Sequence, residues 1–149
     1  MLREKISEGT KAAMKSGDKL RLSTLRLVSA AIKNAEIEAR TASKQLTDDD
    51  LLGLLQKMIK QRQESVELYD KGGRKELADQ ERGEIAVIRE FLPQQLGEAE
   101  AKAAIAEVIK KEGASGIKDM GKVMAALKAA YAGRMDFSKA SGMVKDLLK

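Results

Sequence analysis

Apolar residues recur at helical spacing along almost the whole chain, and this pattern rules out most folds. After Asp18, for example, apolar side chains stand at positions 22, 25, 28, 32 and 35, which places them on one face of an α-helix. No run of alternating apolar and polar residues predicts a strand, and Pro93 is the only proline. We therefore predict an all-α protein.

Polar residues at the helix starts support this prediction. Asp18 is the predicted N-cap of the second helix and Thr47 that of the third. The first turn of the third helix then holds Asp48, Asp49 and Asp50. The positive end of the helix dipole stabilises carboxylates at these positions. Because successive helical residues point about 100° apart, the three carboxylates cannot converge on one cation. We expect capping here and no metal site.

A domain boundary is predicted at Pro93, because the residue before a proline disfavours helical geometry. The fourth helix, which carries Leu92, should stop there. Three shorter helices follow, with ends predicted at Gly113 and Gly133 and the last start near Asp136. The predicted architecture is an N-terminal helical bundle, residues 1–92, followed by a small three-helix domain, residues 93–149.

The composition excludes several kinds of site. The chain has no cysteine and no histidine, so it lacks disulfides, thiolate metal ligands and the commonest general base. No cofactor or metal is predicted. The N-terminus becomes charged at once and has no apolar h-region, so nothing there indicates a signal peptide, and no apolar run approaches the roughly 20 residues that cross a bilayer. We expect a soluble, cytoplasmic protein with no membrane partner.

Basic residues are concentrated near the C-terminus. The formal net charge is +5, and the stretch from Lys118 to Lys149 holds seven basic and three acidic residues. A polyanion such as RNA fits that excess of positive charge, while a lysine-rich solvated helix surface is the simpler alternative. The basic residues are Lys118, Lys122, Lys128, Arg134, Lys139, Lys145 and Lys149.

Residues 116–123 nearly match the phosphate-binding loop GxxxxGK[ST]. However, Val123 has no hydroxyl for magnesium, and a predicted helix precedes the loop where a strand is needed. A nucleotide site is therefore disfavoured. The remaining hypothesis is that the glycines start a helix whose free amides, with Lys118 and Lys122, hold a backbone phosphate.

No catalytic constellation is evident. None of the serines lies in a nucleophile-elbow motif, which leaves only a serine–lysine dyad assembled by the fold. In the fourth helix, Glu81 and Glu84 stand beside apolar positions and can pair with Arg62 or Lys60 of the third. This predicts a structural polar network, with a partner-binding surface as the alternative. Only four residues are aromatic, so RNA binding would rest on phosphates and shape.

These residues resemble the YqeY family along essentially the whole chain. The order and spacing of the matching stretches are specific, although each stretch alone is weak. The matches are MKSGDK at 14–19, Leu25-Arg26, KQRQES at 60–65, Gly73-Arg74, LPQQL at 92–96, KDMGKVM at 118–124 and Gly133-Arg134. Two positions depart from the family pattern: Met135 replaces a small alanine, and Gly97 replaces a serine or threonine at a predicted cap.

The last fifty or so residues are also similar to the tail domain of GatB, the B subunit of the glutamine-dependent tRNA amidotransferase. That tail is a helical appendage that grips tRNA, while the chemistry occurs elsewhere in the enzyme. The resemblance implies a non-catalytic tRNA-binding module. The residues matching the tail motif are Gly121, Lys122, Met124, Gly133 and Arg134, and the candidate RNA contacts are Lys118, Gly121, Lys122, Lys128, Arg134, Lys139 and Lys145.

Two other functions remain open at this point. The long N-terminal helices suit an adaptor that binds a protein partner in tRNA charging or amidation. Kinship to GatB also implies a possible carbon–nitrogen ligase activity with glutamine as the amido donor, acting alone or in a complex, although no catalytic residue carries over.

Overall fold

The computed structural model describes residues 1–148, so Lys149, which was counted in the C-terminal basic stretch, lies outside the described residues. These residues form seven α-helices and one short 3₁₀ helix, with no strand among them. The predicted all-α fold class is confirmed. The backbone contacts divide the chain into two compact units, Met1–Pro93 and Gln94–Lys149. That they fold as separate domains stays a prediction.

The first unit contains four helices: α1 (Leu2–Ser16), α2 (Lys19–Thr41), α3 (Asp48–Lys71) and α4 (Lys75–Arg89). Gly17 ends α1 in a left-handed conformation, with φ of 73°, which glycine adopts without strain. Asp18 caps α2, because its Oδ1 accepts a hydrogen bond from the Arg21 amide at 3.1 Å. The predicted cap is therefore confirmed.

The start of α3 is a capping box. The Asp50 amide donates to the Thr47 hydroxyl at 3.2 Å, and the Thr47 amide donates to Asp50 Oδ2 at 2.9 Å. These two bonds satisfy donors that helical geometry leaves unpaired. The hydrogen bond from the Thr47 backbone is the main reason that the pKa of the Asp50 carboxyl lies below its usual value. The acidic triplet is thus part of a helix start, as predicted.

The core of the first unit is built from the apolar faces of its four helices. The fully buried side chains include Leu25 and Val28 from α2, Leu51 and Leu55 from α3, and Ile88 from α4. Helix α1 adds Leu2 and Ile6, and α3 and α4 form the most extensive helix pair. Of the α2 positions identified by helical spacing, Leu25, Val28 and Ile32 are buried, while Leu22 and Ala35 are only partly buried.

Helix α4 ends at Arg89, three residues before the predicted end at Leu92. The amides of Glu90, Phe91 and Leu92 donate to carbonyls three residues earlier, at 3.1–3.2 Å. The helix therefore tightens into turns before Pro93 breaks it, as is common at helix C-termini.

The second unit contains α5 (Glu98–Glu112), a 3₁₀ helix (Ile117–Asp119), α6 (Met120–Tyr131) and α7 (Phe137–Leu147). Each of the three α-helices contacts the other two, and Ile105, Val123, Leu127 and Val144 are fully buried between them. The predicted end at Gly113 and the predicted start near Asp136 are confirmed. Helix α6 ends at Tyr131, two residues before the predicted end at Gly133. Within residues 1–148, no helix combines the length and apolar character that spanning a bilayer requires.

Candidate nucleic-acid interface

A tight turn follows α6 and fixes the position of Arg134. Ala132 has φ of −52° and ψ of 129°, Gly133 has φ of 75°, and the Arg134 amide donates to the Tyr131 carbonyl at 2.9 Å. This is the pattern of a type II turn, which needs a positive φ at its third residue. Gly133 meets that need, which explains the Gly-Arg pair in the sequence.

Residues 94–96, at the start of the second unit, are hydrogen-bonded to this turn, and we call this set of hydrogen bonds the clip. The Leu96 amide donates to the Arg134 carbonyl at 2.9 Å, and Arg134 Nε donates to the Gln94 carbonyl at 3.0 Å. Gln95 Nε2 donates to the Gly133 carbonyl. Two stretches about forty positions apart in the sequence are therefore held together by backbone groups, one side-chain amide and one guanidinium.

Arg134 thus has an internal role. Besides the bond to Gln94, its guanidinium carbon lies 5.9 Å from the centre of the Tyr131 ring, within cation–π range. Arg134 was predicted as a structural residue or an RNA contact, and its observed partners belong to the structural role. Sequence reasoning treated residues 93–97 as a boundary, a family match and a helix cap, and it missed the clip; the adjacent glutamines after Pro93 were a signal for it.

Lys122 also has an internal partner. Its Nζ donates to the carbonyl of Glu112 at 3.1 Å and lies 3.9 Å from that residue's carboxylate, at the C-terminal end of α5. The negative pole of the helix dipole at this end stabilises a nearby cation. The Lys122 side chain is still 60% exposed, and an ion pair this open is worth at most about 1 kcal/mol.

The start of α6 differs from the predicted phosphate cradle. Gly116 caps the 3₁₀ helix, and Lys118 lies in that helix, so it is not in the same α-helical turn as Lys122. The Ser115 amide donates to Asp119 Oδ2 at 3.0 Å. A carboxylate therefore occupies part of the space where an anion would bind.

The remaining cations are spread over the surfaces of the 3₁₀ helix, α6 and α7. Lys118, Lys128, Lys139 and Lys145 are all exposed, and within residues 1–148 none of their ammonium groups has an ion pair or hydrogen bond. Gly121 lies on the open side of α6, with no atom within 4 Å of where a Cβ would stand. At 100° per residue, Lys139 and Lys145 point roughly 120° apart around α7. The candidates therefore form a broad basic surface, not one narrow strip.

The polar network predicted in the N-terminal part is present. Arg62 Nε lies 3.5 Å from Glu84 Oε2, and both side chains are largely buried, at 15% and 8% exposure. Arg62 Nη1 also donates to the Met58 carbonyl at 3.3 Å. Burial raises the pKa of the Glu84 carboxyl above its usual value. The charge of Arg62 lowers that pKa, and the charge of neighbouring Glu81 raises it, but burial has the largest effect. The pair links α3 to α4 inside the first unit.

A comparison with protein families gives one match across nearly the whole chain. The family described as "Yqey-like protein" matches residues 3–148. Both units are included in the match, so the resemblance seen in the separate sequence stretches extends through the intervening helices.

Curated relatives are found in fungi under the name "Altered inheritance of mitochondria protein 41, mitochondrial". The relative from Lachancea thermotolerans is 35% identical over 70% of this chain and 56% of its own length. The relative from Vanderwaltozyma polyspora is 30% identical over 77% and 64%, and that from Pyrenophora tritici-repentis is 30% identical over 83% and 70%. The matched part thus covers less than two thirds of the first two relatives.

These names contradict the cytoplasmic location expected from the sequence, because the relatives are named as mitochondrial proteins. The expectation depended on the charged N-terminus and the missing cysteines. Those features argue against a secretory signal and a disulfide framework, but they do not distinguish the cytoplasm from the interior of an organelle. The prediction of a cytoplasmic location was wrong.

Proposed function

The chain belongs to the YqeY-like protein family, and we propose that it is an accessory protein that binds tRNA and does not itself catalyse amide transfer. The observation that carries the proposal is the set of exposed lysines in the second unit that lack an internal partner. From Gln94 onward the sequence holds ten basic and seven acidic residues, a net charge of +3. The similarity of the last fifty or so residues to the GatB tail supports a folded tRNA as the polyanion.

The proposed interface binds phosphates and overall shape. Lys118, Lys128 and Lys139 present ammonium groups as point charges, which suit phosphate oxygens. Tyr131 packs against the core and beneath Arg134, so it is not placed as a stacking platform for bases. Binding through phosphates orients a protein on RNA and carries little sequence information.

Replacing Lys118, Lys128 and Lys139 together by glutamine is expected to weaken tRNA binding and reduce its salt dependence. Each lost phosphate contact removes roughly 0.7–0.9 from the log–log slope of affinity against salt, so the slope should change by about 2–3. Fluorescence anisotropy with a labelled tRNA, measured at several salt concentrations, gives both quantities.

The matched control replaces Lys102, Lys110 and Lys111 of α5, which are also exposed and in the same unit. This control removes the same charge from outside the proposed interface. Any change in its salt slope therefore comes from long-range electrostatic attraction and not from lost phosphate contacts. If the two triple variants change the slope equally, the proposed surface is wrong.

An adaptor role is the second candidate, and the exposed apolar side chains of the first unit favour it. Ile37 is 54% exposed and Leu68 is 69% exposed, although large apolar residues exposed singly are common on protein surfaces. An apolar contact would be nearly insensitive to salt, so the same titration separates the two roles. Release of ammonia from glutamine in the presence of ATP, or amidation of misacylated tRNA, would instead make the chain an enzyme.

A further inference from the structure

Helix α2 carries a regular row of cations on its solvent side. Lys19, Arg26, Lys33 and Arg40 are spaced seven residues apart and are all exposed. Seven residues make nearly two helical turns, so successive members point within about 20° of each other and are about 10 Å apart along the axis. We call these four residues the α2 basic stripe; it extends for about 30 Å along the helix.

The stripe is not neutralised within the first unit. Among residues 1–148, none of its four side chains forms an ion pair. The only acidic residue three or four positions from any member is Glu36, and its carboxylate accepts a hydrogen bond from Arg3 Nε at 2.8 Å. Most other arginines of the unit differ, because Arg21, Arg62, Arg74 and Arg82 each pair with a carboxylate.

The residues between the cations suit close contact with a hydrogen-bonding surface. Ser23, Ala30, Asn34 and Ile37 lie on the same side of α2 and are exposed. The short side chains of the first three leave room for a polyanion to approach, and serine and asparagine side chains commonly contact phosphate and sugar oxygens.

A lipid surface fits this helix less well. Leu25, Val28 and Ile32 form its apolar face, and they are buried in the core of the first unit. A helix that lies in a membrane interface inserts such a face into the acyl boundary. The exposed side of α2 offers only three large apolar residues, Leu20, Leu27 and Ile37, spread over about 25 Å of the helix.

We propose that the α2 basic stripe is a second RNA-binding surface, which follows a run of backbone phosphates with its four cations. The inference depends on the proposed function for the class of ligand, but it concerns different residues in a different unit. It also gives the N-terminal helices a role of their own in binding, beyond that of a scaffold.

The test replaces all four stripe residues by glutamine, which preserves helix propensity, and measures tRNA affinity against salt. The log–log slope should change by about 3, from four lost phosphate contacts at roughly 0.7–0.9 each. The matched control replaces Lys5, Lys11, Lys57 and Lys60, which are exposed residues of α1 and α3, and should change the slope by less than about 1. Circular dichroism checks that both variants keep their helices.

The outcomes separate this inference from the proposed function. If the stripe variant binds like the wild type while the Lys118/Lys128/Lys139 variant is weakened, the stripe proposal is overturned and the proposed function stands. If the reverse holds, the stripe is supported and the surface of the second unit is wrong. Loss of binding to phosphatidylserine vesicles in the stripe variant, with tRNA affinity unchanged, would overturn the RNA assignment in favour of a membrane.

Discussion

Replacing Arg62 by methionine is expected to lower the free energy of unfolding of the first unit by about 3 kcal/mol at pH 7. The substitution leaves the Glu84 carboxylate buried between α3 and α4 without its cation, whose Nε lies 3.5 Å away in the native protein. We choose the lower end of the range for buried pairs because Arg62 retains 15% exposure. Urea denaturation followed by circular dichroism measures the change.

The double variant Arg62→Met, Glu84→Leu is the control. Replacing both partners by apolar side chains removes the uncompensated charge, so most of the lost stability should return. Equal or greater instability of the double variant would contradict the explanation by an uncompensated buried charge and would indicate a packing defect.

The pH dependence provides a second readout for the same pair. The raised pKa of Glu84 means that its carboxyl binds a proton more tightly in the folded state than in the unfolded state. Its contribution to stability is therefore fully present below the unfolded pKa and is lost as the pH rises through the folded pKa. Compared with Glu84→Gln, the wild type should gain stability as the pH is lowered from neutral.

Replacing Leu127 by alanine is expected to destabilise the second unit strongly while the first unit keeps its stability. Leu127 is fully buried among α5, α6 and α7, and truncation of such a leucine costs about 2–5 kcal/mol. A unit of this size has a total stability of about 3–8 kcal/mol. Amide hydrogen exchange of the full-length chain should show protection reduced roughly 30- to 5,000-fold in the second unit.

Leu25→Ala is the matched variant, because Leu25 is equally buried in the core of the first unit. Its loss of protection should fall on the first unit. If either substitution removes protection evenly from all seven helices, the two units do not fold separately, and the predicted division into domains is wrong.

The features that the sequence predicted correctly depend on short-range interactions. The Asp18 cap and the Thr47–Asp50 box join residues three positions apart, so the spacing alone is informative. The Arg62–Glu84 pair was also predictable, because α3 and α4 are joined by a short turn and each residue stands beside buried apolar positions.

The features that sequence reasoning missed depend on long-range packing. The clip joins Gln94 and Leu96 to Arg134 across about forty positions, and no local rule brings them together. The α2 basic stripe has a visible seven-residue period, but its significance depends on which face of α2 is buried and on the engagement of Glu36 by Arg3. Helical spacing indicates the buried face, but only the tertiary structure shows that Arg3 binds Glu36.

The central claim is that the chain binds a folded RNA through phosphate contacts, and a salt titration of the wild-type protein tests it most directly. Affinity for a folded tRNA is measured by anisotropy between about 50 and 200 mM salt. It should fall linearly on a log–log plot, with a slope of about −2 or steeper. No detectable binding at the lowest salt, or an affinity that does not change with salt, would contradict the account.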